Sequence, residues 1–324
     1  MTTTISGSSG GTAVTTTTLT ALVPPSPPQG RLTLTSATPV LTATVSASAT
    51  VYYALYTGNQ IPIYSGTAWV MTTFTELSNA TAQSSTGNAG PAAVAANSNY
   101  DLFAWSNGGT LTLTRGPPFT SDTVRGTGAG TTQISRVLGI WSNTVAITNG
   151  PGAGLGTYVG TVRSNGTATV DWIFGATASG GTAGVLGVWN MYNRVDVASV
   201  TCDSVASYSV ANGTTQAANN SAGNRCSFIR GLDEDAASAI YESYAGSQNG
   251  LLTSGIGLDS TTTYTKTATN YASATSWSTV THYDGLPGLG WHYLSPNDTG
   301  SVTNSFNGTD DGYQVMAFRY HGRH

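Results

Sequence analysis

Hydrophobic and polar side chains alternate in short runs along most of this chain, and turn residues close each run. From Tyr100 to Trp105 side chains alternate across a strand. Ser106-Asn107-Gly108-Gly109 then supplies residues that tolerate positive φ, and Leu111 and Leu113 alternate with Thr110, Thr112 and Thr114. The pattern over residues 97–119 predicts a β-hairpin. Gly116-Pro117-Pro118 is expected to stop its ladder, because proline has no amide hydrogen to give.

The same pattern predicts strands at 31–35, 40–46, 51–56, 59–64 and 68–71, spaced closely enough for a small sandwich or barrel. Residues 78–99, rich in Ala, Asn and Ser, read as a loop or one short helix. Strands follow at 137–141, 143–147, 156–162 and 167–174, separated by Asn149-Gly150-Pro151-Gly152 and Ser164-Asn165-Gly166. Beyond 176 the series continues at 184–191, 194–200, 204–210, 226–230, 251–258, 261–267, 276–283, 290–294 and 312–320. The last of these is apolar on both faces, as a central or interface strand would be.

Only Asp233 to Ala245 has a helical pattern. Asp233-Glu234-Asp235 would stand at its N-terminal end, where the helix dipole favours carboxylates, ahead of Ala236, Ala237, Ala239, Ile240 and Tyr244. The fold class expected is all-β: two antiparallel β-sandwich or barrel-like domains behind an extended N-terminal arm. The boundaries expected are 1–30 for a Thr/Ser/Pro arm, 31–175 for a first β domain of one or two subdomains, and 176–324 for a C-terminal β-sandwich. The arm is assigned on composition: Thr/Ser/Gly repetition and then Pro24-Pro25-Ser26-Pro27-Pro28 cannot bury a core.

Composition changes the picture in one respect. Charged residues make up 8% of the 324 residues, about a third of the usual share, so the surface is built from hydroxyl and amide groups. Such a surface suits an assembled β protein whose faces meet copies of itself; a secreted β protein is the other reading. The net charge of −4 offers no basic stripe, so no nucleic acid partner is expected. With neither a signal-like start nor 18 consecutive apolar residues, synthesis in a cytoplasm without membrane insertion is expected. A disulfide between Cys202 and Cys226 would add about 3 kcal/mol. Without a visible export route, two reduced thiols are the expectation.

The candidate chemistry is sparse. Asp233-Glu234-Asp235 offers oxygen ligands to a hard cation but lacks the spacing of a calcium loop, so a helix cap or solvated turn is the simpler account. The acids Asp171, Asp196, Glu242, Asp259 and Asp284 show no spacing that singles out a glycosidase pair. All four histidines follow position 281, and His282 and His292 would face each other if residues 282–293 made a hairpin. Two ligands are too few for a metal without threefold repetition about an axis, and no cofactor is expected.

Aromatic residues that could touch a receptor or a neighbouring subunit are Trp277, Tyr283, Trp291 and Tyr293, with His292 among them; most aromatic residues are expected in core or interface. Five Asn-X-Thr triplets, such as Asn165-Gly166-Thr167, match a glycosylation signal and are what an Asn/Thr-rich chain yields by chance. There is no phosphate loop, dinucleotide fingerprint, nucleophile elbow or zinc pattern.

The low-complexity arm, the Pro hinge, Tyr-Tyr-Ala-Leu-Tyr-Thr-Gly-Asn-Gln-Ile-Pro-Ile-Tyr at 52–64, Asn-Tyr-Asp-Leu-Phe-Ala-Trp at 99–105 and the Gly/Thr-rich C-terminal region together resemble structural proteins of tailed bacteriophages and related prophage particles. The resemblance is one of style over the whole chain, and those two segments are its most specific part. It implies a non-enzymatic virion component of the tail or fibre, forming a homo-oligomer such as a trimer. Residues 1–30 would dock on other virion proteins, and the C-terminal domain would face a host glycan or protein. Lacking heptads and collagen-like repeats, the chain fits a compact knob, spike or decoration better than a shaft. A capsid decoration or head-fibre protein is the alternative within that class. A polysaccharide depolymerase or a lectin-like adhesin is the alternative outside it.

Overall fold

The computed structural model describes residues 25–83, 86–126, 131–175, 182–203, 205–246, 250–272, 276–300, 304–308 and 316–324. Among them the regular structure is strand, apart from three-residue 3-10 turns such as Thr86–Asn88 and Ala222–Asn224. The all-β expectation holds, with several mainly antiparallel sheets. Most of the expected arm, residues 1–24, lies outside the described residues. Pro28 and Gly30 belong to the folded body: Asn193 donates its amide to both carbonyls, at 2.9 and 3.1 Å.

Toward the N-terminus a three-stranded sheet orders Gly30–Thr33, Thr50–Leu55 and Leu77–Ala80. A six-stranded sheet orders Thr110–Pro118, Asn99–Asn107, Thr157–Arg163, Ile140–Asn143 and Ile134–Val137, with Val188–Asn190 also paired to Thr157–Arg163. An eight-stranded sheet runs Val45–Ser48, Val170–Phe174, Gly184–Leu186, Cys226–Arg230, Gly290–Gly300, Gly250–Leu258 and Lys266–Ala272, with Thr215–Ala217 added beside Gly290–Gly300. Facing it, a second six-stranded sheet holds Asp196–Thr201, Ala317–Arg323, Ala237–Gly246, Asn304–Asn307 and Ser207–Val210, with Ser276–Gly285 beside Ala237–Gly246.

The last two sheets close on one another through Phe228 and Tyr320, whose rings stack at 4.8 Å, and through Leu252, Ile256, Tyr241, Leu294 and Phe318, all buried. Position 175 lies within shared sheets. Val170–Phe174 pairs with Gly184–Leu186 across it, Val45–Ser48 joins the eight-stranded sheet, and one core cluster contains residues from Leu32 to Tyr320. Apolar burial on this scale is the main term holding the sheets together.

The expected hairpin forms, with Gly108 and Gly109 at φ +56° and +95° in its turn. Its ladder does not stop at the prolines, however: Tyr100 is opposite Pro118, after a register shift between Tyr100 and Leu102. Thr110–Pro118 is an edge strand, where a missing amide hydrogen breaks no second ladder.

Three further expectations are corrected. Asp233–Ala245 is not a helix; the acids sit in a turn and Ala237–Gly246 is a strand paired on both sides. Its buried positions, Ala237, Ala239, Tyr241, Ser243 and Ala245, follow period 2, and tertiary pairing overrides alanine's helix propensity. The strand expected at 137–141 is interrupted by a turn, because Leu138 and Gly139 take φ +46° and +94° between the paired strands Ile134–Val137 and Ile140–Asn143. His282 and His292 do not face each other across a hairpin: Ser276–Gly285 pairs with Ala237–Gly246, whereas Gly290–Gly300 lies in the opposite sheet.

Gly160 marks a close approach. It sits at a register shift in Thr157–Arg163 with φ +155°, and a Cβ there would lie 2.3 Å from the Trp189 carbonyl oxygen and 2.7 Å from Leu32 Cδ1. Gly160→Ala is therefore expected to lower stability by about 2 kcal/mol or more in urea denaturation. A loss under about 0.5 kcal/mol would mean that the strand can shift to make room.

Candidate functional site

The eight-stranded sheet is where the two halves of the chain meet in a groove. In Cys226–Arg230 the side chains of Cys226 and Phe228 join the main core, while Ile229 belongs to a second cluster with Phe103, Tyr158, Trp189 and Leu232. Gly290–Gly300 repeats the alternation. His292 and Leu294 are buried on the core side, whereas Trp291 packs against the second cluster and Tyr293 lies beside Ser227 in the ladder. Val185 completes the row, opposite Ser227.

Residues 163–166 and Asn97 form the other wall. The result is a cavity of about 250 Å³ open to solvent, whose lining includes Arg163, Asn165, Asp171, Arg225, Ser227 and Trp291. Arg163 is built in. Its Nη1 donates to Asp122 Oδ1 at 2.5 Å and to Asn99 Oδ1 at 3.2 Å, and its guanidinium lies 5.3 Å from the Trp291 ring centre. The Trp291 backbone N–H donates to the Asp122 carbonyl at 2.8 Å, so one residue fixes both partners of this stack.

Asp171 is the carboxylate of the groove. Oδ1 accepts from the Ala47 N–H at 2.7 Å and Oδ2 from the Asn165 amide at 2.9 Å. Asn165 in turn accepts from the Thr167 and Thr169 N–H groups, which fixes the Ser164-Asn165-Gly166 turn expected from the sequence.

Arg225 is held differently. The 3-10 turn before it is capped by Ser221, which accepts from the Gly223 N–H at 3.1 Å. Buried Asn224 is anchored by the Asp203 carboxylate and by the Ala218 carbonyl at 2.9 Å. The Arg225 carbonyl accepts from Gly184 N–H at 3.0 Å, and the guanidinium stacks 4.6 Å from the centre of the Tyr293 ring. Among the described residues no carboxylate pairs with it.

No known protein family matches this chain, and no curated protein does.

The candidate contact residues have separate fates. Trp291 lines the groove and Tyr293 carries Arg225 beside it. His292 points the other way: it is buried, with Nδ1 2.7 Å from Asp259 Oδ2 and Nε2 3.2 Å from the Leu289 carbonyl. Tyr283 is buried in the opposite sheet, where burial raises its phenol above the usual value. Trp277 pairs with Ala245 in the ladder, and its side chain lies outside the described residues.

The acidic run Asp233-Glu234-Asp235 is salt-bridged. Arg194 reaches Asp235 at 2.5 Å and Glu234 at 2.9 Å, and Trp189 Nε1 donates to Asp235 at 2.9 Å. Among the described residues no cluster of His, Cys, Asp and Glu has the makings of a metal site. No disulfide joins Cys202 and Cys226, which are both buried, and burial pushes the Cys226 thiol up to about 12.

Arg163, Asn165, Asp171 and Arg225 are the groove residues that the strand pattern alone does not pick out. Scarcity is the signal that could have: with eleven Lys and Arg in 324 residues, each arginine next to a predicted strand end is a candidate. What joins residue 163 to residue 225 is sheet pairing, which has no local signature.

Proposed function

We propose that this chain is a non-enzymatic structural protein of a tailed-phage virion, of the tail or fibre, with its groove turned toward a host-surface glycan. The observation that carries the binding part is the groove itself, where two arginine–aromatic stacks and an anchored carboxylate converge between two sheets. Planar faces with fixed polar groups at their edges are what sugar recognition uses. The virion part rests on the resemblance of residues 52–64 and 99–105 and of the arm, and the weakly charged β framework agrees with it. In this reading the Thr/Ser/Pro arm ahead of the folded body docks on other virion proteins, and the body assembles as a homo-oligomer such as a trimer. A capsid decoration or head-fibre protein would use the same framework.

The groove geometry favours binding over turnover. A depolymerase of the usual hydrolytic kind needs two carboxyl groups flanking the scissile bond, one to donate a proton and one to act as base or nucleophile. Here Asp171 accepts a hydrogen bond on each oxygen, and Asp122 is salt-bridged to Arg163.

Antibody labelling of purified particles, together with incubation of the purified chain on host polysaccharide, tests the proposal. The expected result is label on the tail and retention of polysaccharide without product release. Particles free of the chain would overturn the virion reading, and released oligosaccharides would replace it with a depolymerase.

A further inference from the structure

Resting on the reading of this groove as a binding site, we propose that it takes an acidic sugar, a ring bearing one carboxylate, with the Arg225 guanidinium as the carboxylate's partner. Five of the arginines, Arg125, Arg163, Arg194, Arg319 and Arg323, lie within 4 Å of a carboxylate. Arg31, Arg115 and Arg230 are buried and donate to carbonyls and side chains. Arg225 is neither. It lies at the groove, one face on Tyr293, and no hydrogen bond from its guanidinium is made among the described residues.

Stacking occupies the face of a guanidinium and leaves its edge donors in plane, as a fork that fits a carboxylate with two parallel hydrogen bonds. The stack on Tyr293 also fixes the side chain before a ligand arrives, so less conformational freedom is lost on binding.

The rest of the lining selects what carries that carboxylate. Each oxygen of Asp171 has accepted one hydrogen bond and keeps a lone-pair site, which suits the hydroxyls of a sugar ring. Ser227 adds a hydroxyl to the floor. Asp171 also sets the charge: with Arg163 neutralised by Asp122, the lining holds one open cation and one carboxylate, so a monoanion is tolerated and a phosphate dianion is disfavoured. At about 250 Å³ the cavity is smaller than the roughly 300–1,000 Å³ that drug-sized ligands fill, so it holds one sugar unit of a longer glycan.

The test is amide chemical-shift titration of the labelled full chain with glucuronate, galacturonate and N-acetylneuraminate, against glucose, acetate and inorganic phosphate. At least one sugar acid should perturb the amides of Asp171, Arg225 and Ser227. Glucose, acetate and phosphate should each bind roughly tenfold more weakly or worse. Arg225→Gln should weaken the sugar acid by roughly 30-fold while its unperturbed spectrum and melting temperature show an intact fold, and Arg225→Lys should restore only part of the affinity. If glucose binds equally well at the same amides, or Arg225→Gln leaves the acid preference unchanged, the acidic-sugar inference falls and the groove remains a glycan site. Phosphate or acetate binding as tightly as the sugar acids overturns the sugar specificity. If no sugar moves these amides, both the inference and the glycan reading fall.

Discussion

Arg115→Met is expected to lower the folding free energy by about 4 kcal/mol, among the largest losses of any single substitution in this chain. Arg115 is 1% exposed and among the described residues has no carboxylate partner; its guanidinium instead collects acceptors. Nη1 donates to Asn79 Oδ1 at 2.6 Å and the Ala80 carbonyl at 3.0 Å, Nη2 to the carbonyls of Ala92 at 2.6 Å and of Gln83, and Nε to Ala92 at 3.2 Å. The Ala80 carbonyl ends the strand Leu77–Ala80, and those of Gln83 and Ala92 belong to the segment after it, which has few strand partners of its own. Methionine fills the space but leaves several buried acceptors without donors, and that desolvation cost is not recovered by packing.

For a chain of this size the loss corresponds to a fall in melting temperature of roughly 6 °C. Urea denaturation of the variant beside Arg115→Lys measures it. Lysine, with one compact ammonium, should recover only part of the loss. If methionine costs under about 1 kcal/mol, water replaces the guanidinium and the segment does not depend on it.

The second large effect depends on pH. Asp298 is fully buried between the two C-terminal sheets and accepts from Tyr208 Oη at 2.7 Å, Tyr241 Oη at 2.8 Å and Ser254 Oγ at 2.8 Å. Burial pushes its carboxyl from 3.8 up to about 6, with the hydroxyl donors limiting the rise. The same burial, reinforced by the carboxylate, drives the phenols of Tyr208 and Tyr241 well above their usual value, so they remain donors.

Between those two pH values the folded protein holds the Asp298 proton more tightly than the unfolded chain does. The group's contribution is therefore complete below pH 3.8 and declines as pH rises through about 6, by about 3 kcal/mol in all. Asp298→Asn removes this titration. The stability difference, wild type minus variant, should fall by about 3 kcal/mol between about pH 3.5 and pH 7.5 in parallel denaturation curves. A difference that stays constant across that range would show that Asp298 is not desolvated as its surroundings imply.

What the chain's pattern specified and what assembly specified can be separated residue by residue. The hairpin at 99–118 is legible because its turn chemistry and its alternation agree and act over a few positions. The turn at Ser164-Asn165-Gly166 is legible for the same reason. Ala237–Gly246 was misread because alanine spacing and an acidic start imitate a helix. Its strand character comes from partners at 276–285 and 317–323, far along the sequence. The turn at Leu138-Gly139 was hidden by a leucine that the fold leaves 56% exposed.

In the groove, Trp291 and Tyr293 were visible as aromatic residues on a strand, but not His292's turn into the core toward Asp259, since neighbouring strand residues point to opposite faces and the choice of face is made by the partner sheet. By itself the sequence determined an all-β protein with a weakly charged surface, because period-2 alternation and turn residues act locally and composition needs no geometry. Only the tertiary structure decided that Arg163, Asp171, Arg225 and Trp291 share one groove, because strand pairing brings residues together at a sequence separation that no local pattern encodes.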